Sequence, residues 1–152
     1  MLKTALALIG LVILGFVAYI RVAPNNPPVW HVDPMTATKP RSPNAFIMRP
    51  GEGKYPSPVF STDALTLARA FDAKAMATAD VTRLSGAPEE LFITYIARTR
   101  LMRYPDFISI RFIDQGDGKS TLAVFSRARF GYSDRGVNRK RVLVWLKTLD
   151  FS

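Results

Sequence analysis

The chain has 152 residues, a formal net charge of +9 at pH 7, one histidine and no cysteine. Without cysteine it can form no disulfide and perform no thiol chemistry. With a single histidine it also lacks the usual ligands of a zinc centre and a convincing Ser-His-Asp triad. We therefore expect no catalytic residues, no metal and no cofactor. The residues outside any membrane segment are enough for one domain of ordinary size and too few for two.

The N-terminal part is an apolar run from Thr4 to Ile20, bracketed by Lys3 and Arg21. As a helix it would span about 25 Å, slightly less than the roughly 30 Å of a bilayer core. A cleaved signal peptide is the alternative, but Phe16-Val17-Ala18 and Arg21-Val22-Ala23 are poor cleavage sites, because each has a large residue at the third position back. We predict an uncleaved, single-pass transmembrane anchor over residues 1–21.

The charges around this run predict its orientation and its partner. Lys3 and the amino terminus lie before it and Arg21 after it, so the positive-inside rule favours a cytoplasmic N-terminus and a translocated C-terminal part. Beyond Lys3 and Arg21 the chain has 19 basic and 12 acidic residues. This excess favours an anionic partner such as lipid headgroups or an acidic protein face, or it only keeps the domain soluble. A translocated domain would not meet nucleic acid.

Residues 22–59 are rich in proline, and nine of the eleven prolines lie between Val22 and Pro58. Proline excludes a helix over most of this segment and argues against a sheet interior. We predict a semi-extended stalk between the bilayer and the domain. Its aromatic residues, including Trp30, Phe46 and Tyr55, indicate that part of the stalk lies against the domain or the membrane interface.

Two amphipathic helices are predicted in residues 60–152, one near each end. The apolar face of the first consists of Ala64, Leu67, Ala68 and Phe71, and that of the second consists of Val142, Trp145, Leu146 and Leu149. Ser61 and Asn138 are suited to the two N-caps. Val137 and Val142 occupy the positions of a hydrophobic staple.

Strand patterns lie between these helices. A weak one runs from Met76 to Leu84 and ends at the turn signal Ser85–Pro88, and a stronger one covers Leu91 to Ala97. The clearest is a hairpin from Phe107 to Arg127, in which Asp117-Gly118 matches a two-residue type I′ turn.

The hairpin turn also predicts a register. It pairs Phe112 with Ala123 and Ile110 with Phe125 on the core side of the sheet. The order of helix, strands and helix predicts an α+β fold. We expect an N-terminal transmembrane helix followed by a two-layer domain, with an antiparallel sheet of about four strands and two flanking helices.

The segment from Ser126 to Arg141 combines a strand end, a turn, a helix start and dense positive charge. It resembles the signature of the domain of unknown function 1499 (DUF1499) family, found in bacteria and plastids, which reads roughly Ser-Arg-x-Arg-x-Gly-x-x-Asp-x-Gly-x-Asn-x-x-Arg. The matching residues are Ser126, Arg127, Arg129, Gly131, Asp134, Gly136, Asn138 and Arg141. The resemblance extends through Tyr104-Pro105-Asp106 and covers roughly residues 60–149. It implies a domain without an established activity, which we expect in the periplasm, anchored in the bacterial inner membrane.

The cations of this segment form the predicted anion- or partner-binding face. They are Arg127, Arg129, Arg135, Arg139, Lys140 and Arg141. If the last helix begins after Asn138, its free backbone N–H groups would favour phosphate or carboxylate there. The alternative is a structural network in which Asp106 pairs with Arg129 across the hairpin and Asp134 binds the loop backbone. The predicted structural positions are Asp106, Ser126, Gly131, Asp134, Gly136 and Asn138.

These patterns favour a non-enzymatic domain that docks on an anionic partner through its basic face. One alternative is an accessory subunit of a larger membrane complex, held through the apolar helix. Another is an enzyme acting on an anionic envelope substrate, with Asp106 or Asp134 as general acid or base and arginines as clamps. A deep pocket lined by both aspartates would indicate the enzyme, and a shallow basic face would indicate docking.

Overall fold

A computed structural model describes residues 1–151 of the chain. The helices are α1 (Leu2–Val22), α2 (Pro27–Trp30), α3 (Ala64–Met76) and α4 (Val137–Lys147), with a short 3₁₀ turn at Pro88–Glu90. The strands are β1 (Ala45–Met48), β2 (Val81–Ala87), β3 (Phe92–Arg98), β4 (Pro105–Gly116) and β5 (Lys119–Ala128). They form one antiparallel sheet in the order β1-β5-β4-β3-β2. The predicted α+β class is confirmed, with five strands where about four were expected.

Helices α3 and α4 cover one face of the sheet. Alternate residues of the central strands form that face: Ile108, Ile110 and Phe112 from β4, and Leu122 and Val124 from β5. Over it the rings of Phe71 and Trp145 meet edge to face, with their centroids 5.6 Å apart. The N-cap of α3 is Asp63, whose carboxylate accepts a hydrogen bond from the Thr66 N–H. The prediction of Ser61 as the cap is therefore wrong by two residues.

The proline-rich segment lies across the opposite face of the sheet. The ring of Trp30 stacks on Phe107 at a centroid distance of 3.9 Å, and His31 stacks on Phe92 at 3.8 Å. Further along, residues 45–48 have no proline and form the edge strand β1, which pairs with β5. Parts of this segment, predicted as a stalk, therefore pack against the sheet, as its aromatic residues indicated, and residues 45–48 add a strand to it.

The hairpin turn forms where it was predicted, and both of its residues have positive φ, 51° at Asp117 and 67° at Gly118. A bulge at Gln115 then shifts the register by one residue. Phe112 consequently opposes Leu122 and Ile110 opposes Val124, so the predicted pairings with Ala123 and Phe125 are wrong.

The shift also separates two residues that were expected to pair. Asp106 opposes Ala128. Since neighbouring residues of a strand point to opposite faces, Arg129 lies on the face away from Asp106. The predicted ion pair between Asp106 and Arg129 is wrong.

The turn signal after β2 has a different role from the predicted one. Residues 85–87 continue β2, which bulges near Ser85 and pairs with β3. At Gly86 φ is 80°, and a Cβ atom there would lie 1.9 Å from the carbonyl oxygen of Phe92. Glycine is required by this close approach of two strands, not by a turn.

Helix α1 is 21 residues long, and the most apolar part has a mean hydropathy of 2.4. By length and composition it can cross a membrane, and a signal sequence has the same properties. Its last two turns contact the domain: the rings of Phe16 and Tyr19 lie 6.4 and 6.3 Å from that of Phe130. Ile20 is fully buried at this junction.

Candidate functional site

The loop formed by residues 129–136, here called the signature loop, leads into α4 and is held by Asp134. Helix α4 begins at Val137 with Gly136 as its N-cap, so Asn138 is not the cap. The carboxylate oxygens of Asp134 accept hydrogen bonds from the backbone N–H groups of Gly136 and Asn138, both at 2.9 Å. Burial raises the pKa of Asp134, but these N–H groups lower it and the net shift is downward. This carboxylate occupies the N-terminus of α4, which was predicted to attract an external anion. It binds the loop backbone, as the alternative of a structural network predicted.

Three residues of the signature, Ser126, Asn138 and Arg141, form a largely buried polar network with Asp106 behind this loop. Arg141 donates to a carboxylate oxygen of Asp106 at 2.9 Å and to the side-chain oxygen of Asn138 at 3.2 Å. Ser126 donates to the same oxygen of Asn138. Asp106 is only 4% exposed, and this burial raises its pKa although Arg141 acts in the opposite direction. Asp106 thus pairs with Arg141 of α4, and the network ties α4 to β4 and β5.

Three other predicted anion-binding residues hold the proline-rich segment. The buried Arg127 donates to the backbone oxygen of Trp30, and burial lowers its pKa to about 10. Arg129 donates to the backbone oxygen of Pro24 at 2.9 Å, and Arg139 donates to the Tyr55 hydroxyl at 2.6 Å. These cations therefore have structural partners within the chain.

The last two predicted binding residues, Arg135 and Lys140, are exposed. The six cations do not form one face, because the register places Arg127 and Arg129 on the side of the sheet away from α4. Sequence proximity within the signature had suggested a single surface. Because side chains alternate along β5, Arg127 and Arg129 point to one face of the sheet, whereas the cations of α4 lie beside the other.

A cavity of about 410 Å³ lies where α1, the signature loop and the loop between β3 and β4 meet. Its aromatic wall is Phe16, Tyr104 and Phe130, and both Asp106 and Asp134 line it. We call it the junction cavity. The structure thus brings the two aspartates to one cavity, as the enzyme alternative requires, but no lysine or arginine of residues 1–151 lines it to clamp an anion. Within the same residues, no three His, Asp or Glu side chains are grouped closely enough to hold a metal ion.

A second cleft, also of about 410 Å³, is strongly basic and was missed by sequence reasoning. It is lined by Arg21 at the end of α1 and by Arg98, Arg100, Leu101 and Arg103 around the loop between β3 and β4. We call the four arginines the arginine cluster. The only signal in the sequence was their close spacing from residue 98 to 103, since the approach of Arg21 is a tertiary contact.

The arginine cluster has few internal partners. Arg103 pairs with Asp80, and Arg98 donates to the backbone oxygen of Arg103 at 3.1 Å. Burial, followed by repulsion from Arg103 and Arg129, lowers the pKa of Arg98. Arg21 and Arg100 are exposed and form no ion pair with any side chain of residues 1–151. Together the four cations can attract an anionic group from outside the chain.

Comparison with known families accounts for the signature. Residues 36–149 match the family described as "Protein of unknown function (DUF1499)". The match begins inside the proline-rich segment and includes β1, in agreement with the folding of that segment onto the sheet. No curated protein is significantly similar to the chain. Because the matching residues make up more than half of its length, the chain belongs to the DUF1499 family.

Proposed function

We propose that this chain is a single-pass, membrane-anchored, non-enzymatic domain that docks on anionic lipid headgroups through the arginine cluster. In this proposal α1 crosses the bacterial inner membrane and the folded domain lies in the periplasm. The observation that carries the proposal is the shared cleft, in which the last turn of α1 and the loop between β3 and β4 bring their arginines together.

The position of Arg21 supports the membrane location of the cluster. It lies in the last turn of α1, where an arginine bordering an apolar span extends its guanidinium into the headgroup layer. Residues that share a cleft with Arg21 then lie at the same depth. Among them Leu101 is 82% exposed and stands between Arg100 and Arg103. An exposed apolar side chain flanked by cations is typical of a surface that rests on a bilayer.

The expected strength of docking is modest. Near an anionic membrane each exposed arginine contributes about 1 kcal/mol, so Arg21 and Arg100 contribute about 2 kcal/mol together. This energy orients the domain on the surface, whereas the apolar area of α1 supplies the attachment. An acidic protein face would provide the same sign of charge, but the location of Arg21 at the end of α1 favours lipid.

The periplasmic orientation rests on the charges beside α1. Lys3 and the amino terminus precede the helix and Arg21 follows it. The other arginines of the cluster are far from α1 in sequence, and long domains are translocated largely regardless of their charge. The cluster is therefore compatible with a domain outside the cytoplasm.

Hydrogen exchange of the full chain in lipid nanodiscs tests the proposal. We expect slower exchange of residues 99–104 in discs with phosphatidylglycerol than in discs of phosphatidylcholine alone. High salt should remove the difference, because the screening length falls from about 8 Å at physiological ionic strength to about 3 Å at 1 M. The double substitution Arg21→Gln with Arg100→Gln should also remove it.

The matched control is Arg135→Gln with Lys140→Gln, which removes the same charge from exposed positions elsewhere. Its exchange should equal that of the unmodified chain. Equal loss of protection in both double variants, or no effect of lipid charge, would contradict docking through the arginine cluster. Protection along α1 that requires a second protein would support the accessory-subunit alternative instead.

A further inference from the structure

The junction cavity differs in chemistry from the arginine cluster, although the loop between β3 and β4 borders both. Its walls are mainly apolar, and its charged groups within residues 1–151 are the two aspartates. We propose that this cavity binds the headgroup and upper chain of a single lipid whose headgroup donates a hydrogen bond, with Asp106 as the acceptor. A hydroxyl, as in diacylglycerol, or an ammonium, as in phosphatidylethanolamine, has this chemistry.

The apolar wall is continuous with α1. The ring of Phe130 lies 6.4 Å from Phe16 of α1 and 5.9 Å from Tyr104. Phe16 is six residues before the end of α1, which corresponds to about 9 Å along the helix. If α1 spans the bilayer, this part of the cavity borders the lipid layer. A lipid chain can then enter along α1 without crossing water, which keeps its apolar surface buried throughout.

The Asp106 carboxylate in the cavity wall has an acceptor oxygen that is still available. One carboxylate oxygen of Asp106 accepts from Arg141, but the other accepts no hydrogen bond from residues 1–151. Both oxygens of Asp134 are already held by backbone N–H groups. This second oxygen is not fully enclosed, so a donor on a bound headgroup can reach it and supply a hydrogen bond that residues 1–151 do not provide. With two carboxylates and no cation in the wall, the cavity disfavours a phosphate at the same position.

The size of the cavity limits how much of the lipid it holds. Its volume of about 410 Å³ is in the lower part of the range of about 300–1,000 Å³ that is usual for small-molecule sites. A headgroup and the first part of a chain fit such a volume. The remainder of the lipid stays in the bilayer beside α1.

Native mass spectrometry of the full chain tests this proposal. Diacylglycerol, phosphatidylethanolamine and phosphatidylcholine are added separately, and the fraction of protein that retains one lipid is measured. We expect retention of diacylglycerol or phosphatidylethanolamine to exceed that of phosphatidylcholine, which has no headgroup donor, by about tenfold. Preference for diacylglycerol indicates a hydroxyl ligand, and preference for phosphatidylethanolamine indicates an ammonium ligand.

Two substitutions on α4 provide a matched pair. Val137 lines the cavity and is 45% exposed, whereas Val144 lies two turns further along, outside the cavity lining, and is 51% exposed. Val137→Trp should fill the cavity and reduce lipid retention by about tenfold. Val144→Trp should leave retention unchanged. Equal retention in these two variants would overturn the proposal.

A further variant examines the acceptor without changing the shape of the cavity. Since Arg141 donates to this side chain, it should hold the amide oxygen of Asp106→Asn and leave the NH2 group, a donor, on the side of the cavity. The preference for donor headgroups over phosphatidylcholine should then be abolished, and this ratio can be measured even if the variant is less stable. Unchanged preference would remove Asp106 from the site and contradict the proposal. Arg21→Gln with Arg100→Gln should not alter retention of neutral lipid, so failure of the arginine docking and failure of the lipid site give different results.

Discussion

Asp106 shows at the scale of one residue how a family position can be structural and still border a cavity. Its carboxyl is 4% exposed and pairs with Arg141, which lies on α4 and reaches it across the domain. The sequence predicted an ion pair for Asp106, but with Arg129 instead of Arg141. The bulge at Gln115 shifts the register, and the one local signal for it is the adjacent Gly116, which has a φ of 79°.

Removal of the Asp106 side chain should be strongly destabilising. Asp106→Ala leaves Arg141 largely buried without its counter-charge, and breaking such a pair typically costs about 3–5 kcal/mol. Asp117→Asn, at the exposed hairpin turn, should change the free energy of unfolding by less than about 0.5 kcal/mol. Urea unfolding of the full chain in detergent compares the two. Similar losses of stability would show that the pair with Arg141 is not important.

The same carboxyl should give a dependence on pH. Because burial raises the pKa of Asp106 in the folded state, the folded chain holds this proton more tightly than the unfolded chain. The resulting stabilisation is present below the ordinary aspartate pKa of about 3.9 and is lost as the pH rises through the folded-state pKa. Asp106→Asn lacks this contribution, so its stability relative to the unmodified chain should rise over that interval. A constant difference between their unfolding free energies would contradict the assignment.

At the scale of elements, the proline-rich segment shows what local patterns can and cannot predict. Its prolines correctly excluded long helices: after α1 ends at Val22, the one helix before residue 60 is the four-residue α2, which begins at Pro27. The short strand β1 was not expected, because it occupies the interval between Pro43 and Pro50 and pairs with β5 far along the chain. The aromatic residues gave the better signal, since Trp30 packs on the sheet.

Trp30 should be the main contact of this segment. Trp30→Ala removes the ring that stacks on Phe107 and whose centroid lies 5.5 Å from the guanidinium carbon of Arg127, but it keeps the backbone oxygen that accepts from Arg127. For this half-buried side chain we expect a loss of about 2 kcal/mol. The adjacent Val29 is 59% exposed, so Val29→Ala should cost less than about 0.5 kcal/mol. Chemical unfolding and hydrogen exchange of residues 30–48 measure the difference. A free spacer would show no difference between the two variants.

At the scale of the whole molecule, the α+β fold could be predicted because its helices and hairpin have strong local periodicity. The arginine cluster could not, because Arg21 and the loop between β3 and β4 meet only through the packing of α1 on Phe130. The six cations of the predicted binding face do not share one surface for a related reason. Several of its cations satisfy internal acceptors, and sequence spacing does not reveal such tertiary partners.

The proposed topology of the chain rests on α1 and the charges beside it. We expect the mature protein to retain residues 1–21, because the apolar run lacks a suitable cleavage site. We expect the domain to lie outside the cytoplasm, because the positive charges before the run exceed those directly after it. Fusions of reporters to the C-terminus, together with determination of the mature N-terminus, test both statements. Activity of a reporter that works only in the cytoplasm, or a mature N-terminus beyond Ala23, would contradict them.

The most direct test of the central claim is the environment of Leu101 in a bilayer. The chain has no cysteine, so Leu101→Cys carries a polarity-sensitive fluorophore at a single site, and Gln115→Cys at the far end of β4, roughly 34 Å from Pro105, is the control. In bilayers with phosphatidylglycerol we predict a blue shift at residue 101 that high salt or the Arg21→Gln, Arg100→Gln pair reverses, and none at residue 115. A water-exposed signal at both positions would contradict docking of the arginine cluster on lipid.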